Sequence, residues 1–268
     1  MRGWTRARVA VVRNGMEAMR SYSVPALEKA LDILDLLARA PDPLTLSAIA
    51  GALKRSTGEI FRVLRTLEDR GYLAREAGDG YVLTNRMFEN GLRRPATAAL
   101  LEIAYPEMRD LVVAIDQSCH VSVPSGRKMV TVAQVEGRGE ASFTVPIGFS
   151  MPIDQSASGR VYLALLPETE RRRLLAGLPA RRRSELRVLL AEIARRGHEL
   201  APSPRVAGIT DLSVPLFGSD SMPAACLAVP VAARIGSATR LDDIVSAVRA
   251  AAARIDRRMA RLRRPAGV

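Results

Sequence analysis

Between residues 44 and 71 the chain spells two short amphipathic helices joined by four polar residues, and few folds accommodate that pattern. Ile60, Val63, Leu64 and Leu67 recur at i, i+3, i+4 and i+7, one face of a helix that ends at Gly71. The preceding segment, Ser47 to Leu53, places Ile49, Ala50 and Leu53 on one side with Leu46 just ahead. Lys54-Arg55-Ser56-Thr57 separates the two, and its hydroxyls suit a helix N-cap. So short a turn makes the helices cross steeply and bury their apolar faces together. The polar side of the later helix, with Glu59, Arg62, Arg65 and Thr66, is left as a ridge of the diameter that fits a B-DNA major groove.

The flanks agree with this core. Ala26, Leu27, Leu31, Leu34, Ile33 and Leu37 recur at helical spacing, and Pro41 and Pro43 stop that helix. Residues 72–84 alternate around Gly78-Asp79-Gly80 as a hairpin. Helix, helix, tight turn, helix, hairpin is the order of a winged helix-turn-helix, assigned to residues 23–86. Residues 1–22 carry no periodic pattern and are expected to be a disordered extension, with Met16 and Met19 as alternative starts.

After residue 86 the texture changes. Residues 87–100 are assigned to a linker helix and 101–268 to a second domain. Ala98 to Asp116 is helical, with Tyr105-Pro106 marking a break or a new first turn. Strands are expected at Cys119–Val123, Met129–Val135, Ala141–Val145, Leu212–Phe217 and Ala224–Val231, the last two around Gly218-Ser219-Asp220. A helical stretch covers 157–196, and a closing helix runs from Leu241 to Arg263. Helices gathered around hairpin-linked strands indicate an α+β domain with a mostly antiparallel sheet.

Composition excludes some classes. With 48% hydrophobic and 25% charged residues the chain has material for real cores. No apolar run of membrane-spanning length occurs, and the apolar stretch near the N-terminus is too short for a signal peptide, so a cytoplasmic protein with no membrane partner is expected. Lys and Arg number 40 against 28 acidic residues, a net charge of +12 that favours polyanionic partners. Much of that excess lies after residue 90 in clusters such as Arg171-Arg172-Arg173 and Arg181-Arg182-Arg183, read as solvated helix faces.

Leu44-Thr-Leu-Ser-Ala-Ile-Ala-Gly-Ala-Leu53, Arg55-Ser-Thr-Gly-Glu-Ile-Phe-Arg-Val-Leu64 and Arg70-Gly-Tyr-Leu73 resemble the IclR family of bacterial transcriptional regulators. Gln117-Ser-Cys-His120, Ser156-Ala-Ser-Gly-Arg-Val-Tyr-Leu-Ala164 and Val206-Ala-Gly-Ile-Thr-Asp-Leu-Ser213 resemble that family's effector domain, so the likeness runs from about Ser23 to Met259. The resemblance implies a GAF-like effector domain, a helical linker building a homodimer or a dimer of dimers, and a small organic effector, often an acid, that alters operator binding. No cofactor and no catalysis are expected.

For DNA, the candidates are Arg55, Ser56, Thr57, Glu59, Arg62, Arg65 and Arg75. Ser56 and Thr57 suit phosphate oxygens at a helix N-terminus, and the arginines reach base edges or phosphates, with Arg75 on the hairpin as a wing contact. Glu59 either accepts from a cytosine amine or holds Arg62 at i, i+3.

For the effector, the resemblance puts a pocket between the sheet and the segments Phe149–Gly159 and Ile209–Ser213, with Phe149, Met151, His120 and Ala228 among its candidates. Ala157, Ser158 and Gly159 open a helix whose free N–H groups favour a carboxylate without needing a cationic side chain. Asp211 stands where several relatives have Cys, and Ala228 and Pro230 where many have Thr or Ser. Asp211 and Ser213 line the pocket, or else cap a turn and fill the strand interior.

Cys119 and His120 admit two other readings: a thiol or redox enzyme, or a metal-responsive regulator that adds His198 and Cys226. Neighbours on a strand point to opposite faces, which argues against one shared site, and Cys226 reads as a small buried apolar residue.

Overall fold

The computed structural model describes residues 24–76, 78–139, 142–217, 222–233 and 240–262. The expected N-terminal extension, the Gly218-Ser219-Asp220 turn, Ala141 and Arg263 lie outside them. The chain divides into two compact units between Arg94 and Pro95.

The first unit holds α1 (Pro25–Leu37), α2 (Leu46–Leu53), α3 (Thr57–Asp69), β1 (Leu73–Glu76), β2 (Gly80–Leu83) and α4 (Arg86–Leu92). Its core is the set of stripes that the periodicity predicts. Ile33, Ile49, Ile60 and Leu64 are fully buried, joined by Leu34, Leu37, Leu67, Leu73 and Tyr81. Leu27 and Leu31, counted in the α1 stripe from sequence, are instead about half exposed, at 56% and 52%. Thr45 caps α2 by accepting from the Ala48 N–H, and Lys54 closes it in the left-handed conformation at φ 54°. The β1–β2 hairpin is antiparallel, pairing Leu73 with Leu83 and Glu76 with Gly80. It is stitched to the α1–α2 loop, because Leu44 and Tyr81 exchange both backbone bonds. Gly80 permits that approach: a Cβ there would run into Pro43.

The second unit opens with α5 (Pro95–Ile115) and then forms one antiparallel sheet of six strands in the order β5-β4-β3-β8-β7-β6. These are β3 (Cys119–Ser125), β4 (Lys128–Val135), β5 (Ser150–Pro152), β6 (Glu199–Pro202), β7 (Ile209–Leu216) and β8 (Ala225–Ala232). Central β8 is buried at every residue but its last, which explains its unbroken apolar run. One face packs against α5 and the closing α9 (Leu241–Leu262), with Met108, Val112, Val248 and Ile255 meeting Val121, Leu212, Leu227 and Val229. Glu107 on α5 holds Arg254 on α9 at 2.5 Å. The other face is covered by α6 (Ala157–Leu165), α7 (Glu168–Leu175) and α8 (Ala180–Arg196), through Val161, Leu163, Leu186 and Leu190.

Several expectations are corrected. No single helix spans 87–100: α4 ends at Leu92, and Pro95 starts α5, where its missing N–H costs nothing. Tyr105-Pro106 does not break α5, which runs through Pro106. The lost bond to the Glu102 carbonyl is outweighed by burial of Ile103, Ala104 and Met108 on either side. Residues 142–145 form no strand, and the edge beside β4 is taken by β5. The 157–196 stretch is three helices, because Pro167 and Pro179 sit extended before α7 and α8. Strand β6 falls in a segment the sequence pattern left unassigned.

Candidate nucleic-acid interface and effector cavity

In the first unit, Ser56 and Glu59 form a reciprocal capping box at the start of α3. The Ser56 Oγ accepts from the Glu59 N–H at 3.3 Å, and the Glu59 carboxylate accepts from the Ser56 N–H at 3.3 Å. The other carboxylate oxygen of Glu59 lies 2.6 Å from Lys29 Nζ on α1. That ammonium, with the Ser56 bonds, holds the Glu59 carboxyl down at about 2. Neither sequence reading of Glu59 describes this: its carboxylate holds α1 and the α3 cap rather than Arg62.

The arginines of this unit differ sharply in freedom. Arg65 is held by Asp69 at 3.2 Å and Glu68 at 3.8 Å. Arg75 is held by Glu68 at 3.3 Å and by the Tyr81 hydroxyl at 2.8 Å, and it lies over the Tyr81 ring. Arg75 therefore braces the hairpin against α3. Arg55 and Arg62 are exposed and hold no carboxylate among the described residues. Thr57 is exposed on the first turn. Sequence reasoning missed Phe61, which is 46% exposed next to Arg62. The signal was present: Phe61 falls outside the Ile60, Val63, Leu64, Leu67 stripe and so cannot join the core.

In the second unit, a cavity of about 310 Å³ opens between the sheet and α6. Seven of the nine candidate effector residues line it: His120, Phe149, Met151, Ala157, Ser158, Asp211 and Ala228. Gly159 and Ser213 do not. The Gly159 N–H donates to the Ser156 Oγ at 3.0 Å, and a Cβ at Gly159 would overlap the Ile153 carbonyl, so this glycine serves packing. Ser213 is wholly buried behind the cavity wall.

The chemistry of the lining is divided. Phe143, Val145, Phe149 and Met151 are apolar, while the first turn of α6 presents Ala157 and Ser158. In a helix those leading N–H groups have no partner within the helix. Arg205, in the loop between β6 and β7, also lines the cavity, its guanidinium 5.0 Å from the centre of the Phe149 ring. It supplies the cation that the sequence reading held unnecessary. No periodic pattern in that loop marks it.

On the sheet side, burial pushes His120 down to about 4, so it is neutral near pH 7, and its Nδ1 is buried without a hydrogen-bond partner. Burial raises the Asp211 carboxyl, offset partly by a Ser203 hydrogen bond and by Arg160. Behind Asp211, the guanidinium of Arg160 meets the buried Glu199 carboxylate at 2.7 Å.

Cys119 and His120 do not share a site. The Cys119 thiol faces the α5 side, 3.7 Å from the Met108 carbonyl, and burial pushes it up to about 12. Cys226 is on the opposite face, its thiol 3.2 Å from the Ser158 carbonyl. His198 is bonded to the Arg196 carbonyl. Among the described residues no three His, Cys, Asp or Glu side chains come together as a metal site. No helix among them is long and apolar enough to cross a membrane.

Comparison with known proteins gives matches over most of the chain. The model of the IclR helix-turn-helix domain matches residues 26–77, and that of the bacterial transcriptional regulator IclR C-terminal region matches residues 96–257. SauR of Cupriavidus necator is 28% identical over 222 residues, 80% of this chain and 88% of that protein. The transcriptional regulator XynR of Escherichia coli is 26% identical, covering 77% of this chain and 85% of XynR. Among solved structures, an IclR homologue from Microbacterium hydrocarbonoxydans complexed with 4-hydroxybenzoate superposes with a TM-score of 0.73 at 22% identity, over 87% of this chain and 98% of the other. The IclR of Thermotoga maritima gives 0.65 at 23% identity, over 87% and 98%.

Proposed function

The chain belongs to the IclR family of bacterial transcriptional regulators, and from that premise we propose that its affinity for an operator is set by a small organic acid bound in the second unit. One observation carries this reading: the first turn of α6 and the Arg205 guanidinium face the same 310 Å³ cavity. A carboxylate placed there meets N–H donors, the positive end of a helix dipole and a cation at once. Its apolar body then lies among Phe143, Phe149 and Met151. The 4-hydroxybenzoate held by the Microbacterium relative supports an acid of this kind. Asp211 and neutral His120 on the sheet side favour a ligand that also presents a hydrogen-bond donor.

Residues 23–86 act as the DNA-binding domain and 101–268 as the effector domain, with α4 and the start of α5 as the connection. In the first, α3 enters the major groove, with Arg62 free to reach a base edge and Arg55 and Thr57 at the backbone. Phe61 offers an apolar contact to a thymine methyl. Val24 just before α1, Leu27 and Leu31 on α1, and Phe88 on α4 at 65%, are exposed apolar side chains that a second copy would cover. A two-fold dimer presents recognition helices roughly 34 Å apart, matched to successive major grooves. The effector changes DNA affinity by binding one arrangement of that dimer more tightly than the other. As a chromosome-binding regulator the protein acts in the cytoplasm.

The test joins two measurements on the full chain. A thermal-shift screen of small carboxylates identifies binders, since a ligand of the native state raises the melting temperature. Mobility shifts of promoter fragments beside its gene then follow DNA affinity with and without the binder. Specific binding that changes with the acid supports the reading. Specific binding that ignores every acid that raises the melting temperature overturns it.

A further inference from the structure

Members of the two arginine clusters that the sequence assigns to solvent come together in space, joined by Arg187. Arg171 and Arg172 on α7 and Arg183 and Arg187 on α8 line one groove of about 590 Å³, separate from the effector cavity. Its remaining lining is one carboxylate, Glu168, and a set of aliphatic side chains that includes Leu175, Leu190, Ala191 and Ala194. That volume lies within the range of roughly 300–1,000 Å³ typical of small-molecule sites.

The charges in this groove are incompletely matched. Helices α7 and α8 carry nine arginines, and the six at 171, 172, 181, 182, 195 and 196 hold carboxylates. Of the remaining three, Arg173 does not line the groove, whereas Arg183 and Arg187 do. Arg183 reaches only the Ala176 carbonyl, at 3.5 Å, and Arg187 has no partner among the described residues. Spaced i, i+4, these two sit one turn apart on α8 and repel each other along the helix. A single carboxylate, Glu168, serves both Arg171 and Arg172.

We propose that this groove is a second ligand site, for an aliphatic amphiphile with a phosphate head. Two guanidinium forks on successive turns match the several acceptor oxygens of a phosphate monoester, which carries the charge they lack. The floor is alkyl and the groove has no aromatic lining on which a planar base would stack, so the occupant's body is a chain. Charge argues against the protein's own N-terminus as occupant, because residues 1–23 carry five arginines and one glutamate. A second copy docked here about a two-fold axis would bring the same arginines face to face.

Isothermal titration of the full-length protein with octyl phosphate, kept below its micelle concentration, tests the site. We expect one saturable site per chain, and binding at least tenfold weaker for inorganic phosphate alone and for octanol alone. Replacing Arg183→Gln and Arg187→Gln together is expected to weaken octyl phosphate binding at least tenfold, while Arg205→Ala in the effector cavity leaves it unchanged. If the double variant melts early, Arg187→Gln alone decides, because that side chain has no polar partner among the described residues. Undiminished binding by Arg187→Gln, loss on Arg205→Ala, or no saturable binding to the native protein overturns the proposal.

Discussion

The ammonium of Lys29 lies 2.6 Å from the Glu59 carboxylate, so the helix carrying the exposed ridge is tied at its first turn to the first helix of its own domain. The same carboxylate caps the α3 backbone at Ser56. One side chain therefore sets both where α3 starts and how it lies against α1.

This clasp makes the DNA-binding unit acid-sensitive. Glu59 titrates at about 2 when folded against an ordinary 4.5, so its contribution is complete above pH 4.5 and is lost as pH falls from there toward 2. Glu59→Gln is expected to lower the melting temperature at pH 7 and to flatten its dependence across that window. Thermal melts of the two proteins at pH 7 and pH 3 check this, and equal acid sensitivity would count against the clasp.

Arg62 and Arg65 are one turn apart, yet unequal. Arg62→Ala is expected to cost about 1–3 kcal/mol of operator discrimination, the value of a good bidentate base contact. Arg65, held by Asp69 at 3.2 Å, is expected to cost less than about 1 kcal/mol when changed to Ala. Competition mobility shifts with specific and random DNA separate the two, and the reverse ranking would show that Arg65 leaves its carboxylates on binding.

Phe61 gives a chemical signature that no charged residue gives. Replacing an operator's thymines by deoxyuridine removes only the 5-methyl groups. Native protein is expected to lose about fourfold in affinity for each methyl buried against the ring. Phe61→Ala is expected to bind both DNAs alike. An equal loss in the two proteins would place the methyl contact elsewhere.

In the effector cavity, Arg205→Ala is expected to weaken a carboxylate binder by about 10- to 100-fold, as for loss of a charged hydrogen bond. Binding of the corresponding amide is expected to change little. Titration calorimetry with the acid–amide pair reads the difference, and equal losses for both would mean that Arg205 acts by shape alone.

Legibility from sequence followed the range of the forces involved. The α3 stripe was readable because a helix repeats its burial every turn, so Ile60, Leu64 and Leu67 announce their own partners. The Ser56-x-x-Glu59 capping box is also spelled in the chain: its Ser56 half is legible as an N-cap, while Glu59 reads equally as a partner of cytosine or of Arg62. Pro106 shows the opposite case: a local rule predicted a break, and packing of α5 on the sheet overrode it. Arg205 was out of reach because a loop residue has no period, and only β6, itself too short to be recognised, brings it beside Phe149. The arginine clusters were visible, but their convergence across α7 and α8 is a tertiary fact.

The contact between Gly159 and the Ile153 carbonyl has a consequence for descent. On the proposed reading, a lineage that came to answer a different metabolite would inherit a helix with no room for a larger residue at that point. Its freedom to vary lies opposite, at Ala228 and Asp211 on the strands and at Arg205 in the loop. New specificities in its descendants would therefore be written on the sheet and the loop, with position 159 of the helix kept as glycine.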